Sequence, residues 1–110
     1  MNAYLEEFAG QCAKERPPGT DEKFVGWEGL IFILVGVGLK VALPELKEWV
    51  RLGAQASSVL RQRLTTKLIE YAIEYELDFP AAEKASELVA RRVNEDNVGA
   101  LAEALESSQE

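Results

Sequence analysis

Apolar residues recur at helical spacing along most of the chain. The clearest stretch covers residues 54–77, where leucines at positions 60, 64 and 68 are four residues apart. One arc of this predicted helix holds Leu60, Leu64, Leu68, Tyr71, Ala72 and Tyr75, and a second arc holds Ile69, Ile73 and Leu77. Because two arcs are apolar, we expect this helix to be buried on two sides.

Shorter helices are predicted on either side of this segment. Residues 2–14 place Tyr4, Leu5, Phe8, Ala9 and Cys12 on one face. After Pro44, a further helix is expected to bury Leu46, Trp49 and Val50 and to stop at Gly53. Asp78 or Phe79 is predicted to cap the next helix, with Pro80 in its first turn, and Asn97 is predicted to cap the last helix.

The most apolar stretch runs from residue 29 to residue 44. Alternating β-branched residues from position 31 to position 37 leave a strand possible, but no second run offers a strand to pair with. The helical neighbours favour a helix, despite the cost of two glycines in its interior. We predict a central helix that directs Leu30, Ile33, Leu34 and Val37 towards Leu60, Leu64 and Leu68.

A membrane segment is the alternative for the same stretch. Only the eleven residues 29–39 lie between Glu28 and Lys40, and a helix needs about 20 residues to cross a bilayer. Extending the span to residues 24–43 reaches that length but places both charges inside it. The alternative function is therefore a membrane-attached helical protein anchored by residues 24–43.

Together these patterns predict an all-α protein. We expect a small bundle of five to six helices around a central apolar helix, forming a single domain over residues 1–110. The turns between helices are short, with a proline-rich turn over residues 16–21. The tail from about residue 106 is expected to fray.

The residue types exclude most site chemistry. The chain has no histidine and one cysteine, Cys12, so neither a zinc or haem site nor an intramolecular disulfide is expected. The carboxylates at positions 70, 74, 76 and 78 lie along a helix and are interpreted as a solvated face. We therefore predict no cofactor, no metal and no enzyme activity.

Charge narrows the class of partner. Twelve Lys and Arg against nineteen Asp and Glu give a net charge of −7, which argues against nucleic-acid binding and favours a basic protein partner. Acids concentrate after residue 70, whereas residues 40–69 carry six bases and two acids. The acidic N-terminus lacks the basic region of a secretory signal, and a cytoplasmic location is expected.

These observations favour an interaction module over an enzyme. We predict a small acidic helical interaction module, either regulatory or of the immunity-protein or antitoxin type. It is expected to bind a protein partner and to form a homodimer. The aromatic residues could instead belong to the core. The candidate interaction surface consists of Trp27, Trp49, Arg63, Lys67, Glu70 and Glu74.

Overall fold

The described part of the chain is helical. The computed structural model describes residues 2–15, 26–77 and 79–107, and within them it contains six helices and no strand. The helices are α1 (Ala3–Ala13), α2 (Trp27–Val41), α3 (Leu43–Leu52), α4 (Ser57–Glu74), α5 (Phe79–Arg92) and α6 (Val98–Ser107). The predicted all-α bundle of five to six helices is confirmed.

Helix ends follow local chemistry. The side chain of Asn2 accepts a hydrogen bond from the amide of Leu5 at 3.0 Å, which satisfies one of the free donors at the start of α1. Gly53 ends α3 with a φ of +84°, in the left-handed region that favours glycine. The predicted turn over residues 16–21 and the predicted cap Asp78 lie outside the described residues.

The last helix extends further than the apolar pattern indicated. It begins at Val98, directly after the predicted cap Asn97, and continues through Glu106 to Ser107. The side chain of Asn97 accepts from the Asn94 amide and donates to the Arg92 carbonyl, so it braces the preceding turn. The described residues are thus helical to Ser107, and fraying of the tail from about residue 106 stays a prediction.

The apolar stretch is the central helix. From Trp27 to Val41 the chain is continuously helical, and it then turns by 70° into α3, which carries Pro44 in its first turn. Two rows of residues on α2 face the core. The first row contains Trp27, Ile31, Val35 and Leu39. The second row contains Leu30, Leu34 and Gly38, and ends at Ala42, directly after the helix. The helix prediction for this stretch is confirmed.

Part of the predicted face of α2 is wrong, and a π-helical segment accounts for one of the two misplaced residues. Ile33 and Val37 are 40% and 48% exposed, whereas Leu30 and Leu34 are buried as expected. The i→i+5 turns of Leu34–Gly38 are wider than α-helical turns and rotate Val37 away from the core. Ile33 precedes this segment and lies outside the two buried rows. In an α-helix of 3.6 residues per turn, residues four apart shift gradually around the helix. The wider π turns offset this shift, so the two rows with four-residue spacing stay on the core side.

No single helix in the described residues is long and apolar enough to cross a membrane. The bent pair formed by α2 and α3 has the length and composition for a broken span. Most large apolar side chains of α2 pack inside the bundle, and only Ile33, Val37 and Val41 form an exposed apolar ridge.

Helix α4 has one buried stripe. Leu60, Leu64, Leu68 and Ala72 are buried, whereas Ile73 and Tyr75 are each 59% exposed. The prediction that this helix is buried on two sides is therefore wrong, because no described helix covers Ile73. Val50 on α3 is similarly 50% exposed, so the predicted apolar side of that helix reduces to Leu46 and Trp49.

Gly38 lies at a close approach between α2 and α4. A Cβ atom at this position would lie 2.9 Å from Cδ2 of the buried Leu68 and 3.8 Å from Cδ2 of Tyr71. At Gly29, on the same helix, a Cβ would meet nothing within 4 Å. Glycine thus permits a close approach at one of these two positions.

Valine should therefore affect stability unequally at the two glycines. We expect Gly38→Val to lower the free energy of unfolding by about 1–3 kcal/mol, because the added atoms overpack the contact with Leu68. Gly29→Val should stay within about 0.5 kcal/mol of the unaltered chain, since valine has a better helix propensity than glycine and meets no neighbour. Chemical denaturation measures both, and equal effects would contradict the close approach.

Candidate functional site

The two predicted surface tryptophans belong to the core. Trp27 and Trp49 are both 0% exposed, so their assignment to the interaction surface is wrong. Each indole nitrogen donates internally: that of Trp27 to the carbonyl of Ala13 at 3.2 Å, and that of Trp49 to Oγ of Ser57 at 3.0 Å. Large aromatic side chains bury the most apolar area per residue, which explains their place in a small core.

Arg61 joins three helices around Trp49. Its guanidinium donates to the carbonyls of Ala90 and Val93 at 3.1 and 2.7 Å, near the end of α5. It also lies over the Trp49 ring, with 5.2 Å between Cζ and the ring centroid. This arginine therefore has a structural function, which the sequence pattern did not distinguish from that of its neighbours.

The other four predicted surface residues do share one exposed face. Arg63, Lys67, Glu70 and Glu74 are separated by four, three and four residues, so they form a row along the outer side of α4. All four are exposed, and none has an ion-pair partner among residues 2–15, 26–77 and 79–107. We call these residues the charged row.

An apolar row runs beside the charged row. Val59 and Ile73 are 56% and 59% exposed, and exposed Thr66 lies midway between them, seven residues from each. Seven residues are close to two helical turns, so the three side chains lie along one side of α4. We call Val59, Thr66 and Ile73 the apolar row; the pattern did not assign it to the surface because Ile73 fitted a buried arc.

A shallow depression lies where the apolar row meets α3. It has a volume of about 370 Å³ and is lined by Glu45, Val59, Gln62, Arg63, Thr66 and Lys67. The Oε1 atom of Glu45 is buried there without a hydrogen-bond partner. The outer face of α4 thus combines exposed apolar side chains, a hollow and four charges.

Two titratable side chains in the described residues, Cys12 and Tyr71, have a clearly shifted pKa. Burial raises the pKa of the Cys12 thiol to about 11, so the thiol is neutral at physiological pH and a weak nucleophile. Burial and the nearby Tyr75 and Glu74 raise the pKa of Tyr71 on α4. Within the described ranges, no three His, Cys, Asp or Glu side chains come close enough together to hold a metal ion.

A polar groove between α1 and the turn after α5 is the other notable concavity. Its lining includes Gln11, Glu15, Arg92 and Asn97. Arg92 is already paired with Glu15, and the Asn97 side chain is bonded to the backbone of the turn. These groups are used in holding α1 and α5 together, and the outer face of α4 is therefore the stronger candidate site.

An ion pair connects the basic middle of the chain to its acidic C-terminal part. Lys47 on α3 pairs with Glu106 on α6, and the Arg51–Glu48 pair stays within α3. Exposed pairs of this kind stabilise a fold little. Comparison of the chain with protein-family models, curated proteins and solved structures found no match, so the candidate site is defined by the geometry of α4 alone.

Proposed function

We propose that this chain is a non-catalytic protein-binding module that acts through the outer face of α4. One observation carries the proposal: the longest helix has a single buried stripe and leaves Val59 and Ile73 more than half exposed beside the charged row. Exposed apolar side chains with a charged border are typical of protein interaction sites.

The chemistry of the chain supports binding over catalysis. It has no histidine, and the one thiol is buried with a raised pKa. General acid–base catalysis would depend on carboxylates and amines alone. The exposed carboxylates of the charged row lie beside apolar side chains on the surface of a helix and not inside an enclosed pocket.

The proposed face is electrically balanced. Arg63 and Lys67 offset Glu70 and Glu74, so the net charge of −7 resides elsewhere on the chain. A partner bound on α4 therefore needs both signs of charge and apolar side chains. A strongly basic partner, which the net charge favours, would bind a different surface of the chain. The existence of such a partner stays a prediction.

Photo-crosslinking in the native cell tests the proposal. A photoreactive amino acid at Thr66, in the middle of the apolar row, is expected to give covalent adducts with protein. The control position is Glu83, which is exposed on α5. Adducts from position 66 and not from position 83 support the proposal; equal yields at both positions, or none from position 66, would refute it.

A further inference from the structure

The charged row has a segregated order, with two bases followed by two acids along α4. Arg63 and Lys67 are like charges four residues apart, and so are Glu70 and Glu74. Like charges at this spacing on a helix repel each other. Within the described residues none of the four forms an ion pair, and Lys67 and Glu70 are the one opposite-charge pair of the row at an interacting spacing.

We propose that the partner on this face is a second copy of the same chain, with α4 packed antiparallel against α4 around a two-fold axis. The inference rests on the proposed binding function of α4. The row is symmetric about the midpoint between positions 68 and 69: Lys67 and Glu70 lie one and a half residues from it, and Arg63 and Glu74 lie five and a half residues from it.

A two-fold axis at that midpoint pairs every charge with its opposite. Each residue of one copy faces the residue of the second copy that lies equally far beyond the midpoint. Lys67 therefore meets Glu70 of the second copy, and Arg63 meets its Glu74. The symmetry generates each pair twice, giving four ion pairs. Two-fold dimers repeat every contact in this manner, because both copies use the same patch.

The apolar row fits the same register. The axis brings Ile73 of one copy to the level of position 64 on the other, between Val59 and Thr66. The depression beside α3 lies at that level and is lined by Val59, Thr66 and four neighbours. An exposed isoleucine would thus enter a hollow of the second copy, while the charges that set the register lie alongside.

Charge exchange tests this arrangement. Sedimentation velocity over a concentration series should show the unaltered 12.2 kDa chain shifting to twice its mass. The all-acidic variant R63E/K67E and the all-basic variant E70K/E74K should each dimerise at least about tenfold more weakly, because four attractions become repulsions. Mixed in equal amounts, the two variants should form a heterodimer.

The quadruple variant R63E/K67E/E70K/E74K provides the decisive rescue. It reverses every charge in the row and restores each opposite pair, so it should dimerise like the unaltered chain. The matched control for E70K/E74K is E83K/E87K, which changes the net charge by the same amount on the exposed side of α5 and should leave dimerisation unaffected. Circular dichroism melting confirms that each variant is folded.

Two outcomes would overturn the inference. One is a chain that remains monomeric at every concentration; the other is a dimer that R63E/K67E and E70K/E74K leave intact, or that the quadruple variant does not recover. Crosslinks from position 66 to a different protein, with a monomeric chain, would retain the binding function of α4 and reject the second copy as its partner. The two proposals therefore fail separately.

Discussion

Replacing Leu34 by aspartate is expected to abolish the cooperative thermal unfolding transition. Leu34 is 0% exposed, and its Cδ2 atom would lie 3.5 Å from a Cβ atom added at Gly38. A carboxylate there would lose its hydration without gaining a partner, in addition to the cavity left by leucine. The sum, about 5 kcal/mol or more, equals the whole stability of many domains of this size.

Val37→Asp is the matched control for Leu34→Asp. It places the same charge three residues further along α2, at a side chain that is 48% exposed. We expect a loss of about 1 kcal/mol or less, because the carboxylate stays in water. Differential scanning calorimetry measures both variants. Similar severe damage from the two, with the protein recovered in the membrane fraction, would favour the membrane alternative for residues 24–43 instead.

Arg61→Ala should have the second largest effect, a loss of about 2–4 kcal/mol. Two charge-assisted hydrogen bonds to the carbonyls of Ala90 and Val93 disappear, together with the contact over the Trp49 ring. For a chain of this length the melting temperature should fall by roughly 8–25 °C. Thermal melting followed by circular dichroism measures this change.

Two comparisons identify the cause of that loss. Arg61→Lys keeps the charge but not the planar fork, so it should recover only part of the stability. Arg51→Ala removes an exposed arginine whose ion pair with Glu48 has an Nη2–Oε2 distance of 2.6 Å. It should cost about 0.5 kcal/mol or less, because solvent screens such pairs. Equal effects at positions 51 and 61 would show that Arg61 does not hold α5.

The local pattern was sufficient for the helices and for most of the core. Leucines four residues apart on α4 face inward, and Leu5, Phe8, Ala9 and Cys12 of α1 do the same. Cys12 is buried, as a small apolar side chain would be. These features depend on the 3.6-residue period and on the burial of apolar area, both of which are properties of the local chain.

The candidate site was predictable only in part. The charged row follows from residue spacing alone, and all four of its members are exposed. The tryptophans were placed wrongly because amphipathic aromatic residues suit both cores and surfaces, and only the neighbours decide between them. The apolar row was missed for the converse reason: a helix pattern does not say which of two apolar arcs another helix will cover.

The sequence by itself determined that this protein is all-helical, where most helices begin and end, and which charges share a face of α4, because each of these depends on residues within a few turns. The tertiary structure decided the rest. The π segment of α2 turned Val37 outward, and the packing of α2 and α5 left Ile73 exposed. Arg61 received its carbonyl partners from residues 29 and 32 positions away. Such contacts arise only when distant helices meet, and no local period encodes them.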